Sequence, residues 1–257
     1  EAVRHLYRFE RETNDANLVR LLVRLVQTPE MARQVTSEEI VRLNEKLLRL
    51  DPDGPDARDC RRRIARQYLV LTEFLRSNQR AMEIGKAIGF ERVAESDRGA
   101  AALNLLLAIE REESNKPNAE TLTLLGWALM LETPEDVTAP ERYEEVVRKF
   151  EEARKADPDF TEASDRLANL YMTRMKDGEK ALAVIGDVIQ ARPNDVRARI
   201  FRYLVLRQLG REEEARIDLQ HAREVVPAEQ PHRHVQEHRR DDRVEPRRER
   251  RHAVERG

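Results

Sequence analysis

One cysteine in 257 residues leaves no room for an internal disulfide or a CxxC-type metal or redox site, and tryptophan too occurs only once. Glycine (9 residues) and proline (11) are scarce for a loop-rich all-β chain, and aromatic residues make up only 5%. No run of ~18 uncharged apolar residues exists, so no segment reads as a transmembrane span. An excess of one charge is missing too: 47 Lys and Arg face 49 Asp and Glu, and the net charge of -2 creates no global field toward nucleic acid or an acidic membrane. The sequence has no Walker loop, no GxGxxG after a strand, no HExxH and no GxSxG, so no catalytic residue is assigned and no cofactor or metal is expected. The first residue is Glu1, with no apolar segment before a small-residue cleavage site. We expect a fragment or processed chain, cytoplasmic by default, whose N-terminal part could have carried a signal or membrane anchor.

What is abundant is charge, 37% of residues, beside 40% hydrophobic ones. That balance favours amphipathic helices. Leu18, Leu21, Leu22 and Leu25 recur at helical spacing and predict one buried face. Pro158, Pro193 and Pro227 each follow an amphipathic stretch, at spacings of 35 and 34 residues, the period of helix-turn-helix repeats. Between the first two, Ala163, Leu167, Ala168 and Tyr171 share a face. Asp177-Gly178 then reads as a turn, and Ala181, Ile185, Val188 and Ile189 line a second face. Small residues at 168 and 181 suit a close helix crossing, and Pro193 stops the pair.

These residues resemble the tetratricopeptide repeat. Leu125-Gly126, Phe150, Ala153 and Pro158 fit its pattern in one copy. Leu167-Ala168, Tyr171, Ala181 and Pro193 fit the next, and Gly210, Ala215, Leu219, Ala222 and Pro227 the last. Two departures stand out: an insertion of about eight residues near Leu131 to Tyr143, and Arg202-Tyr203 where Leu-Gly is expected, which predicts looser packing of the final pair. Residues 1–118 carry divergent copies. Thr36 with Glu39 predicts a capping box opening a second helix through Leu43, Leu47 and Leu50. Ile64, Ala65 and Tyr68 repeat the first-helix spacing. Gly85 and Gly89 weaken the pattern, and Ala100 to Glu113 reads as a strong helix ending before Pro117. The expected organisation is divergent helical repeats over 1–118, three tetratricopeptide-like repeats over 119–227, and a disordered Arg/His-rich tail over 228–257.

The resemblance implies an all-α, right-handed superhelix of antiparallel helix pairs whose first helices line a concave groove. In this sequence the groove positions are Thr123, Trp127 and Met130, then Asp165, Asn169 and Met172, then Leu204 and Arg207. Trp127 would anchor a partner unless it packs on a neighbouring helix. Asn169 sits where the family often holds an asparagine that bonds a peptide backbone, or is a solvated helix residue. The family's clamp for a chaperone's C-terminal carboxylate needs cationic and amide donors; Thr123, Asp165, Ile200 and Leu204 stand there instead, which disfavours that ligand.

Other clusters have plainer readings. Arg58, Arg61, Arg62, Arg63 and Arg66 could meet phosphate, but without interleaved aromatics they read as a solvated face offset by Asp56 and Asp59. Nucleic acid is not expected. Cys60 would have a lowered pKa if exposed among these arginines, and otherwise is a plain thiol. His232, His234 and His238 have metal-compatible spacing without a supporting shell. Glu144-Glu145, Glu151-Glu152 and Glu212 to Glu214 alternate with arginine at helical spacing and form no acid/base pair. The expected function is a protein-interaction scaffold for a peptide or helix whose identity the sequence does not give. The alternative is a non-catalytic assembly segment of a larger, membrane-anchored protein that packs on its neighbours or self-associates.

Overall fold

The computed structural model describes residues 13–77, 95–114, 116, 118–133 and 140–225. The tail from 226, Gly85, Gly89, Pro117 and the histidines at 232, 234 and 238 lie outside them. Eleven α-helices and no strand occur among the described residues. In chain order these are α1 (Ala16–Leu25), a single turn α2 (Pro29–Ala32), α3 (Ser37–Leu50), α4 (Ala57–Ser77), α5 (Glu95–Glu112) and α6 (Ala119–Glu132). A 3-10 turn (Pro140–Tyr143) precedes α7 (Glu144–Ala156), α8 (Thr161–Thr173), α9 (Gly178–Ala191), α10 (Val196–Gln208) and α11 (Glu212–Val225).

Local chemistry explains the helix starts. An Asx or Thr side chain caps the free amides at the N-terminus of five helices: Asp15, Thr36, Asn118, Asp177 and Asp195. The box at Thr36 is complete, with Glu39 N–H donating to Thr36 Oγ1 at 3.3 Å and Thr36 N–H to Glu39 Oε2 at 2.7 Å. Asp177 accepts from the Lys180 amide at 3.0 Å, and the turn before it passes through Lys176 at φ 55.

The helices pack in pairs, α4 with α5, α6 with α7, α8 with α9 and α10 with α11. In addition α6 touches both α4 and α8, so first helices stack on first helices. One core runs from α4 to α10, and a smaller one joins α1, α3 and Cys60. The motif residues do the packing. Leu125, Phe150, Ala153, Leu167, Ala168 and Ala181 are fully buried. Gly126 is required where α6 crosses α7: a Cβ there would sit 2.7 Å from Phe150 Cε1.

Three expectations need correction. On α1 the buried face is Val19, Leu22, Val23 and Val26, while Leu21 is 60% exposed and Leu25 is exposed as well. The helix is turned by Arg20, which bridges Asp51 (2.6 Å) and Asp56 (2.5 Å). The final pair is tied together where looseness was expected: Asp218 of α11, fully buried, receives Arg202 through two 2.6 Å hydrogen bonds and Arg199 at 3.3 Å. An arginine in the Leu position is thus answered by a carboxylate across the crossing. The arginines of α4 are offset by Asp59 as expected, through Arg62 and Arg63, and Arg58 stays exposed, but Arg61 and Arg62 also reach the end of α5, Arg61 to Glu112 at 2.7 Å and Arg62 to Glu113 at 2.7 Å. Cys60 is buried among them, and burial pushes its thiol pKa up. No described helix is long and apolar enough to cross a membrane.

Candidate functional site

The first helices α4, α6 and α8 touch in turn, α10 joins α8 through Arg197 and Asp165, and the residues that the register assigns to the groove differ widely in exposure. α6 is apolar nearly all round, and eleven of its fourteen residues are buried, Thr123, Trp127 and Met130 among them. Thr123 satisfies its hydroxyl on the Ala119 carbonyl at 2.7 Å. Trp127 is 1% exposed, with the Arg166 guanidinium 3.2 Å from the ring centroid. Its indole Nε1 has no hydrogen-bond partner among the described residues.

Charged side chains link α6 to the helices on either side of it. The guanidinium of Arg66, on the long helix α4, reaches across α6 to both carboxylate oxygens of Glu162 on α8, at 3.0 and 2.9 Å, and to Glu120 on α6 at 3.0 Å. In the other direction Arg166 of α8 lies 3.7 Å from Glu73 of α4 and 3.3 Å from Glu162. Burial weakens the charged form of Arg66, but Glu162 and Glu120 more than offset it and the pKa rises. At Arg166 burial prevails over Glu73 and Glu162, and the pKa falls. None of Arg66, Glu73, Glu162 or Arg166 was singled out as a groove residue from the sequence. The signal was present: Arg66 follows the small residue Ala65 as Trp127 follows Gly126 and Asn169 follows Ala168, so the same register one repeat earlier points to it.

Toward α10 the surface opens. A cavity of about 560 Å³ is lined by Asp159, Phe160, Asp165, Arg166, Asn169 and Arg197, among others. Asp165 is partly buried, and that burial pushes its pKa up against the opposing pull of Arg197, 2.7 Å away. Arg197 is itself largely exposed. The side-chain amide of Asn169 is exposed and makes no hydrogen bond among the described residues. Met172 is half-buried against the core. Leu204 is 54% exposed, with Ile200 exposed one turn before it. Arg207 stands in solvent, its guanidinium 5.8 Å from the Tyr203 ring. A larger cavity, about 840 Å³, lies between the start of α4 and the end of α5. There Arg58, Arg61 and Arg62 are already taken by Glu112 and Glu113. Among the described residues no cluster of His, Cys, Asp and Glu could hold a metal ion.

No protein-family model matches the sequence, and no curated protein matches it. Solved structures do. A MamA RS-1 double mutant superposes with a TM-score of 0.50 at 12% identity, covering 82% of this chain and 93% of that one. A crystal structure of MamA gives 0.44 at 18% identity, over 74% and 88%. YrrB, described as a TPR protein with an unusual peptide-binding site, gives 0.45 at 15% identity, over 87% and 92%. At 12% identity the likeness to the MamA RS-1 structure is one of fold. Together with the stacked pairs and the buried Leu-small, Phe and Ala positions, it establishes that the chain has the tetratricopeptide-repeat fold, an all-α solenoid of helix pairs.

Proposed function

We propose that the protein is a non-catalytic interaction scaffold that holds an extended peptide or a helix of a partner on the concave side of its first helices, chiefly along α8 and α10. The observation that carries this reading is the surface there: an exposed amide at Asn169 with no partner among the described residues, in the wall of a cavity of about 560 Å³ that Arg197 of α10 also lines, and exposed Ile200 and Leu204 further along α10. Stacked helix pairs hold such a surface in place before a ligand arrives, so little ordering entropy is lost by the receptor on binding. Leu204 and Met172 supply apolar contact, Asn169 meets a peptide backbone, and Asp165 and Arg207 set register by charge. Thr123, Trp127 and Met130 form the floor beneath the neighbouring part of the groove.

The test is selection of a displayed random peptide library on the full chain, followed by fluorescence polarisation with the selected peptides. Replacing Asn169→Ala together with Leu204→Glu is expected to weaken binding at least about tenfold, the scale of losing one well-placed anchor. Equal affinity for both proteins, with unchanged helicity, refutes the placement.

A second reading, assembly between copies, is favoured by the exposed Leu21 and Leu25 on α1 and Ile217 and Val225 on α11, at the two ends of the described stack. End-to-end association would bury both sets. It predicts a mass that rises with concentration in analytical ultracentrifugation and falls to monomer with Leu21→Glu, whereas a constant monomer mass rules it out.

A further inference from the structure

The contact between Arg166 and Trp127 has features of an occupied binding site more than of core packing. The indole Nε1 is fully buried and has no acceptor among the described residues, although a buried tryptophan N–H ordinarily finds one. The guanidinium on its face is held loosely. Arg166 meets Glu73 at 3.7 Å and Glu162 at 3.3 Å, whereas Arg66 next to it grips both oxygens of Glu162 at 3.0 and 2.9 Å. The side chain of Arg166 is also 19% exposed and, with Glu162, lines the 560 Å³ cavity, so Arg166 itself, unlike the Trp127 ring beneath it, borders open space.

We propose that the face of Trp127, flanked by Glu73 and Glu162, is a binding site for a cationic side chain of the partner peptide, an arginine or lysine, and that Arg166 occupies it as an internal competitor. This rests on the groove reading above and adds the chemical class of the ligand. The physical basis is the match of parts. An electron-rich ring face attracts a cation strongly once water is excluded, and two carboxylates beside it supply the counter-charge. Binding exchanges one cation for another: Arg166 swings toward the cavity and solvent, the partner's cation takes its place, and the net charge around Glu73 and Glu162 is restored. The peptide backbone that follows the incoming side chain supplies carbonyl oxygens, the acceptor type that the indole N–H lacks. Trp127 is thereby given a role from the floor of the groove, without being part of the exposed surface.

Trp127 is the chain's one tryptophan, so fluorescence excited on the red edge, where tyrosine does not absorb, reads this site alone. In the full chain, Arg166→Ala is expected to raise the acrylamide quenching constant of Trp127 at least threefold with unchanged circular dichroism. Adding the peptide Ac-Gly-Arg-Gly-NH2 at millimolar concentration should restore the shielding saturably, and Ac-Gly-Glu-Gly-NH2 should not. On the wild type the arginine peptide should bind at least tenfold more weakly than on Arg166→Ala, because it has to displace the resident side chain. Arg166→Lys, which keeps a cation in place, should behave like the wild type. If Arg166→Ala loses helicity, the comparison passes to Arg166→Lys and Arg166→Gln, the second of which should bind the arginine peptide more tightly than the first. The proposal is overturned if removing the guanidinium leaves quenching unchanged, or if the arginine and glutamate peptides act alike. Should library-selected peptides still need Asn169 and Leu204 in that event, the groove reading stands and the cation site alone falls.

Discussion

Gly126→Ala and Gly186→Ala form a matched pair whose difference isolates the helix crossing. Both glycines lie inside helices, so each replacement gains roughly 1 kcal/mol of helix propensity. Around Gly186 a new Cβ meets nothing within 4 Å, and the gain survives. At Gly126 it would lie 2.7, 2.9 and 3.1 Å from three atoms of the Phe150 ring, which is fully buried and cannot step aside. Overpacking a filled core costs about 1–3 kcal/mol, so Gly126→Ala is expected to be neutral to about 2 kcal/mol destabilising. Because the propensity gain cancels between the two, Gly126→Ala should fall below Gly186→Ala by the steric cost itself, about 1–3 kcal/mol. Urea unfolding followed by circular dichroism measures both, and tryptophan emission in the same titrations shows whether the array unfolds as one unit. Putting Gly126→Ala into a Phe150→Leu background should remove most of the gap. If Gly126→Ala stabilises as much as Gly186→Ala, α6 and α7 do not cross at this point and the pairing described here is wrong.

Other substitutions probe other joints. Asp218→Ala leaves Arg199 and Arg202 facing a buried, unpaired site and should cost about 3 kcal/mol in the same assay, where an exposed pair such as Arg216–Glu213 should cost almost nothing. Asp177 has its pKa lowered, first by the Lys180 backbone amide, so its contribution is fully present above the ordinary value of about 3.9 and is lost as pH falls through the lower folded value. Asp177→Asn, an equally good cap that does not titrate, should therefore flatten the acid limb of the stability profile below about pH 4 without changing it at pH 7. Cys60, buried with a raised pKa, should resist Ellman's reagent at pH 8 in the folded protein and react within minutes in 8 M urea, where about a quarter of the thiol is ionised.

The repeat was legible because its signals are short-range and redundant. Helix period, a proline every 34 or 35 residues, and small residues where helices cross all speak about the same pairs. Thr36 with Glu39 is a contact between neighbours in sequence, and so was readable. What escaped was set by distance in the fold. The face that α1 buries depends on Arg20 finding Asp51 and Asp56, more than thirty residues away. Trp127 has the register that assigns it to the groove, yet it is buried, with Arg166 of the next first helix lying on its ring and tied in turn to Glu73 and Glu162. Glu162 also meets Arg66, 96 positions away in sequence, and single-sequence patterning carries no information about such a pair. At Arg202 the pattern broke, and it was the partner Asp218, hidden in an otherwise ordinary charged helix, that repaired it.

The central claim is that partners bind on the first helices, along α8 and α10. Hydrogen–deuterium exchange of the full chain, with and without a library-selected peptide at saturation, tests it most directly. The account predicts that added protection concentrates in 161–173 and 196–208, with 178–191 and 212–225 unchanged. Protection confined to those outer helices, α9 and α11, would contradict it.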